Sequence, residues 1–272
     1  MALERDQIQR LFTALDGWTP DQFPARMALS QLLNESLKTK ESAMLSEQQA
    51  VLFATAAVEM WQRAVHSLIT AMAIRTSSEI WACVSGYYAS HYSVRAFAHL
   101  FGYFSLYFQR RLFIELSPWG PRYQCRTVDP HRARKEHQFY WTQIKKLPEF
   151  AGDPLFTNND DRVPLSDASH RGFASYMDHL NRFVQHEVLD RDQVRRGIID
   201  LAYTALEGEA TISIPNRERY PDVGTVLSVA YLRIYKFREY LDDLLPTGGR
   251  FWIRHRTPPW CTDLLSFPAR RD

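Results

Sequence analysis

The sequence predicts an all-α protein, an antiparallel helical bundle with a mixed insertion, and three observations point there. Apolar residues recur with the helical period through Ser46–Ala73, at Val51, Leu52, Thr55, Val58, Trp61, Val65, Leu68, Ile69 and Met72. Only 11 of the 272 residues are glycine, which suits helices better than a turn-rich β-sandwich. A hydrophobic share of 45% against 24% charged, with 7 Trp, 13 Tyr and 16 Phe, is the balance of a folded chain with ample aromatic surface to bury.

Taken in order, Leu3–Leu15 and Ala25–Lys38 read as short helices split by Gly17-Trp18-Thr19-Pro20. Ser46 is placed to cap the next helix, with Gln49 three residues on as its capping-box partner. Thr76-Ser77-Ser78 breaks that helix, and another runs from Glu79 to about Phe108; a loop this short implies antiparallel neighbours. In LFIELSPWGPRYQCRTV, the Pro118-Trp119-Gly120-Pro121 turn separates two strand-like runs and predicts a small β-hairpin. Residues 131–147 read as helix and Glu149–Asp167 as loop. Helices follow at Ser169–Glu187, at Arg191–Leu206 behind the cap Asp190, and at Val223–Leu245, stopped by Pro246. The organisation is an N-terminal helical extension (1–47), a bundle (48–247) with an insertion at about 111–165, and a basic, aromatic tail (248–272).

A net charge of +2 predicts no strong long-range attraction to nucleic acid. Only six of the 33 basic residues are lysine, and arginine favours interfaces and phosphate contacts through its planar fork. Cys83, Cys125 and Cys261 are scattered with no CxxC pair, which predicts no zinc site and fits a reducing cytoplasm. The opening MALERDQIQR has no hydrophobic leader core, and no apolar run is long enough to span a bilayer, so the expectation is a cytoplasmic chain without membrane contact.

The chemistry-bearing residues concentrate on the helix around Tyr87. Tyr88, His91, Arg95, His99 and Gly102 follow steps of three and four and share one face of an otherwise aromatic and apolar helix. An unpaired buried cation is expensive, so Arg95 is expected to be paired within the fold. The stripe reads either as a satisfied polar seam or as a pocket or dimer seam with a task.

The run YYASHYSVRAFAHLFG (Tyr87–Gly102) resembles the YYAxFHAARALL helix of HEPN domains, the higher-eukaryote-and-prokaryote nucleotide-binding helical bundles. Ser169-His170-Arg171-Gly172-Phe173 resembles the THKG…F segment of the branch often encoded beside minimal nucleotidyltransferases, with Arg171 in the Lys position. Arg217-Glu218-Arg219-Tyr220-Pro221-Asp222 is a looser match to that branch's RxxADY turn, and TVLSVAYLRIYKFREYLDDLL resembles its closing helix. These segments occur in the family's order across roughly 48–247. The long stretch at about 111–165 departs from the pattern, in which the corresponding gap is short.

The resemblance implies a binding or accessory subunit in a nucleic-acid-related defence or toxin–antitoxin system, acting as a homodimer or within a larger complex, with RNA or a nucleotide as ligand and no cofactor. Tyr88, His99, Arg217, Arg219 and Tyr220 would then line the binding surface. The alternative it implies is a metal-independent endoribonuclease whose acid, base and phosphate ligands come from His170, Arg171, His91 and Arg95; a nucleotide-binding sensor is the third reading. Many HEPN ribonucleases carry Arg, four to six residues, then His. Arg126/His131, Arg132/His137 and Arg250/His255 fit, but with nine His roughly three such pairs arise by chance. The first contains Pro130, the last lies in the tail, and only Arg132/His137 falls on a predicted helix, inside the insertion. No GxxxxGK[ST], GxGxxG or HExxH pattern is present.

Overall fold

The computed structural model describes residues 3–14, 25–38, 41–108, 110–128, 136–157, 191–207 and 223–245. Among these the protein is predominantly helical, as expected, but carries a four-stranded antiparallel sheet and not only a small hairpin, so the fold is α+β where the sequence predicts an all-α bundle with a mixed insertion. The elements are α1 (Arg5–Thr13), α2 (Ala25–Leu37), β1 (Ser42–Leu45), α3 (Glu47–Ile74), α4 (Glu79–Leu100), β2 (Tyr103–Phe108), β3 (Arg110–Trp119), β4 (Arg122–Val128), α5 (Glu136–Ile144), a 3-10 turn at Pro148–Phe150, α6 (Pro154–Thr157), α7 (Arg191–Glu207) and α8 (Val223–Leu244). The expected helix at Ser169–Glu187 lies outside the described residues.

Two compact units interleave along the chain. The first takes described residues up to Trp61, then Val94–Ala151 and the end of α8 from Phe237. The second takes Gln62–Ser93 and the described residues between Gly152 and Lys236. Each of α3, α4 and α8 therefore contributes one end to each unit.

The capping box that starts α3 is formed as read from sequence. Ser46 Oγ accepts from Gln49 N (3.2 Å), and Ser46 N donates to Gln49 Oε1 (2.9 Å). At the other end of the helical pair the expectation fails. α4 stops at Leu100, well short of Phe108, because Gly102 adopts φ 89°, and a Cβ there would lie 2.7 Å from the Leu116 carbonyl oxygen. That close approach lets Leu116 N donate to Gly102 O (2.8 Å), and Tyr103–Phe108, rich in aromatic residues, continues as a strand.

The sheet order is β1-β4-β3-β2, and the predicted hairpin is its β3–β4 pair, with Trp119 opposite Arg122 across a two-residue turn. Gly120 at φ 59° followed by Pro121 gives the twist-compatible type II′ pattern. One sheet face carries Leu45, Phe104, Ile114, Leu116, Tyr123 and Cys125, all buried. On the other face Phe139 of α5 packs its ring against Phe113 (4.4 Å between centroids) and Tyr103 (6.2 Å). The rest of the first unit closes on aromatic contacts: Phe97 meets Phe150 at 4.7 Å and Phe237 at 4.9 Å, both edge to face. In the second unit, α4 and α8 approach closely at Gly86, where a Cβ would lie 2.9 Å from Leu227 Cδ2.

Candidate functional site

Two of the stripe residues, Arg95 and His99, turn into a buried polar network of the first unit. Arg95 Nη2 lies 2.9 Å from Glu136 Oε1, at the first residue of α5. Arg111 of β3 pairs with the other carboxylate oxygen. Ser105 Oγ on β2 donates to Glu136 Oε1 (2.7 Å), and Tyr140, one helical turn after Glu136, donates its hydroxyl proton to Ser105 Oγ (2.9 Å). Ser105 N completes the ring by donating to Tyr140 Oη (3.0 Å), so the edge strand β2 is covered by α5 at this point. The Arg95 guanidinium sits over the Tyr140 ring, 5.0 Å from its centroid. Every polar atom from Tyr140 to Glu136 thus polarises the next, and the chain ends on two arginines.

Burial alone would raise the Glu136 pKa; Arg95, the Ser105 hydroxyl and Arg111 outweigh it and hold the carboxyl below the usual range. His99 is shifted in the direction that keeps it neutral. Complete burial, the neighbouring Arg95 charge and, more weakly, Arg26 depress its pKa well below 6.5, against the raising effect of its bond to the Tyr103 carbonyl. Because that carbonyl only accepts, His99 Nδ1 carries the proton and donates over 2.8 Å, leaving Nε2 a bare lone pair with no hydrogen-bond partner among the described residues.

A neutral buried histidine makes a testable demand on pH dependence. The unfolded chain binds a proton at His99 below about pH 6.5 while the native protein does not, so this residue makes stability fall as pH drops below that value. In His99→Phe the slope of unfolding free energy between pH 5 and 6.5 should become shallower by about one proton, or roughly 1.4 kcal/mol per pH unit. An unchanged slope would show that His99 titrates normally.

The remaining stripe residues lie in the second unit. His91 is buried and its ring runs parallel to that of Tyr87 (6.1 Å, 2°), with Tyr92 at 6.0 Å; Tyr88, half-buried, meets Tyr87 edge to face (5.4 Å) and Tyr92 at a tilt (5.8 Å). Nearby on α4, Ser90 Oγ accepts from Arg233 Nη1, and Arg233 is wholly buried. The structure therefore brings Arg95 and His99 together around Tyr140 and places His91 and Tyr88 in an aromatic cluster of their own. His170, Arg171, Arg217, Arg219 and Tyr220 lie outside the described residues, as do Arg132 and His131. α5 begins at Glu136, so only His137 of the Arg132/His137 pair stands on a described helix.

Sequence reasoning missed Glu136, Ser105, Tyr140, Arg111 and Arg233. Glu136 and Tyr140 are separated by four residues on one helix face, a weak signal that became informative only once β2 lay against them. Burial pushes the Cys125 thiol up to about 12, so it is inert. Among the described residues, no three His, Cys, Asp or Glu side chains gather as metal ligands, and no helix is long and apolar enough to cross a membrane. No protein-family model matches the chain, and no curated protein or solved structure is significantly similar to it.

Proposed function

We propose that this protein is a HEPN-like binding or accessory subunit of a nucleic-acid-related defence or toxin–antitoxin system, in which the polar residues of the α4 helix serve the fold and not catalysis. One observation carries the second half of this reading. Arg95 is 5% exposed and His99 is fully buried, and Arg95 is already neutralised by Glu136. A general acid or a phosphate-binding arginine must reach its substrate, and these two do not. The family half of the reading is supported by the order of the resembling segments along the chain. Dimerisation or entry into a larger complex belongs to the same proposal.

The test is incubation of the purified protein with mixed RNA in EDTA, comparing wild type with His170→Ala and His137→Ala. RNA left intact by all three is the expected result. Cleavage abolished by His170→Ala would establish the metal-independent endoribonuclease instead, with His170 and Arg171 at its centre. Cleavage abolished only by His137→Ala would place the chemistry at Arg132/His137.

A further inference from the structure

We propose that the open part of the sheet, around Trp119 and Arg122 at the tip of the β3–β4 hairpin, binds single-stranded nucleic acid by stacking an unpaired base on Trp119. The inference deepens the nucleic-acid-related reading above and rests on it for the class of partner, but it names a surface that no resembling segment contains.

Residues directly opposite in an antiparallel ladder share a face, so Trp119 and Arg122 form one pair, Ser117, Gln124 and Met44 a row, and Glu115, Arg126 and Ser42 the next row. α5 covers this face over Tyr103, Ser105 and Phe113. Toward the hairpin tip it stays open: Trp119 is 62% exposed and Met44 42%, and Arg122 is exposed. Trp119 is the most exposed of the large hydrophobic side chains described, and it sits on a turn stiffened by Pro118 and Pro121. The backbone under the indole is thus already ordered, so only its two side-chain torsions are fixed when a flat partner stacks on it.

One uncompensated positive charge on this face, that of exposed Arg122, is available to a phosphate. Arg122 makes no ion pair among the described residues. Arg126 donates from Nε (3.1 Å) and Nη2 (2.7 Å) to the same oxygen of buried Glu115 and is neutralised by it, so it adds a positioned, half-exposed donor to the face and no net charge. Same-face residues on a strand repeat every ~7 Å, which spaces Arg122, Gln124 and Arg126 as a row along β4. An aromatic platform beside a row of arginine and amide donors is the chemistry that takes an unpaired base and its flanking phosphates. The body of a duplex fits less well, because its stacked bases offer no open face along its length. The low net charge means that affinity rests on this local arrangement and not on long-range steering.

Binding is measured by fluorescence anisotropy of labelled oligonucleotides of about 12 nucleotides, with single-stranded RNA, single-stranded DNA and duplex RNA as separate arms. Wild type is expected to bind single strands more tightly than duplex. Trp119→Ala should weaken single-strand binding about tenfold, while Trp119→Phe retains most of it. Arg122→Ala should reduce the salt dependence by about 0.7 in log–log slope, one phosphate contact on a single strand. An unchanged far-ultraviolet spectrum and melting temperature in Trp119→Ala would confirm that the exposed tip was removed without harming the fold. The proposal is overturned if wild type does not bind single strands, if duplex binds as well as they do, or if Trp119→Ala binds like wild type. It is also overturned if Trp119→Ala dissolves a concentration-dependent dimer and leaves oligonucleotide binding untouched, which makes the face an interface between copies. RNA cleavage by wild type would remove the accessory reading and leave this surface standing; intact RNA with no oligonucleotide binding would do the reverse.

Discussion

Glu136→Gln is expected to lower the stability of the protein by about 3–5 kcal/mol, read as a shift of the urea midpoint. The carboxylate is shared by two arginines of very different exposure: the Arg95 side chain is 6% exposed and that of Arg111 is 41%. When the charge on Glu136 is removed, Arg111 can turn to water, but Arg95 remains as an unpaired buried cation whose Nε already lacks a hydrogen-bond partner among the described residues. The converse substitution, Arg95→Met, should cost less, since Glu136 keeps Arg111 and the Ser105 hydroxyl. The double variant should then be more stable than the sum of the two losses predicts, by about 1–3 kcal/mol. The pH dependence has a definite sign. A carboxyl held below its usual pKa contributes stability that is fully present above about pH 4.3 and is lost as pH falls through the depressed folded-state value. Wild type should therefore lose more stability than Glu136→Gln on acidification below pH 4. Equal urea midpoints for wild type and Glu136→Gln would show that the network contributes nothing net.

Arg233→Ala is expected to have an effect of similar size, about 3 kcal/mol or more, in the second unit. The guanidinium is fully buried on α8; Nε (2.9 Å) and Nη2 both donate to the Leu155 carbonyl of α6, Nη1 donates to Ser90 Oγ on α4, and the group sits 6.0 Å from the centroid of the Phe156 ring. Alanine would leave a cavity, and the Leu155 carbonyl would lose both donors. Arg233→Met restores most of the volume without the donors, so its smaller loss would isolate the polar contribution. Arg233→Lys keeps the charge but cannot fork onto one carbonyl while reaching Ser90, and should also be destabilised. Hydrogen exchange at the α6 amides should accelerate more than the loss of global stability alone explains, because Arg233 and the Lys236–Asp153 pair (2.6 Å) tie this four-residue helix to α8. Unchanged exchange at the 155–157 amides together with wild-type stability would refute the assignment.

What the sequence determined by itself is everything whose cause lies within a few residues. The Ser46–Gln49 capping box, the break at Thr76-Ser77-Ser78, the hairpin across Gly120-Pro121 and the starts of α7 and α8 were legible, because caps and turns are set by side chains bonding their own neighbourhood and by the φ preferences of Gly and Pro. Even the demand that Arg95 be paired followed from placing a cation on an apolar helix. The identity of its partner did not. Glu136 reaches Arg95 only because α4 ends at Gly102 and the chain returns as β2, and that ending depends on the Leu116 carbonyl lying 2.7 Å from where a side chain would start. The periodicity of Tyr103–Phe108 reads as well for a helix as for a strand, since nearly every residue there is apolar or aromatic, and a pattern without polar gaps carries no period. Arg233 was silent for a related reason: its partners stand 78 and 143 residues away, and a single Arg in an amphipathic helix looks like a solvated residue until the neighbouring elements enclose it. Tertiary structure decided which polar residues are buried, because burial is a property of what packs against a side chain and not of the side chain itself.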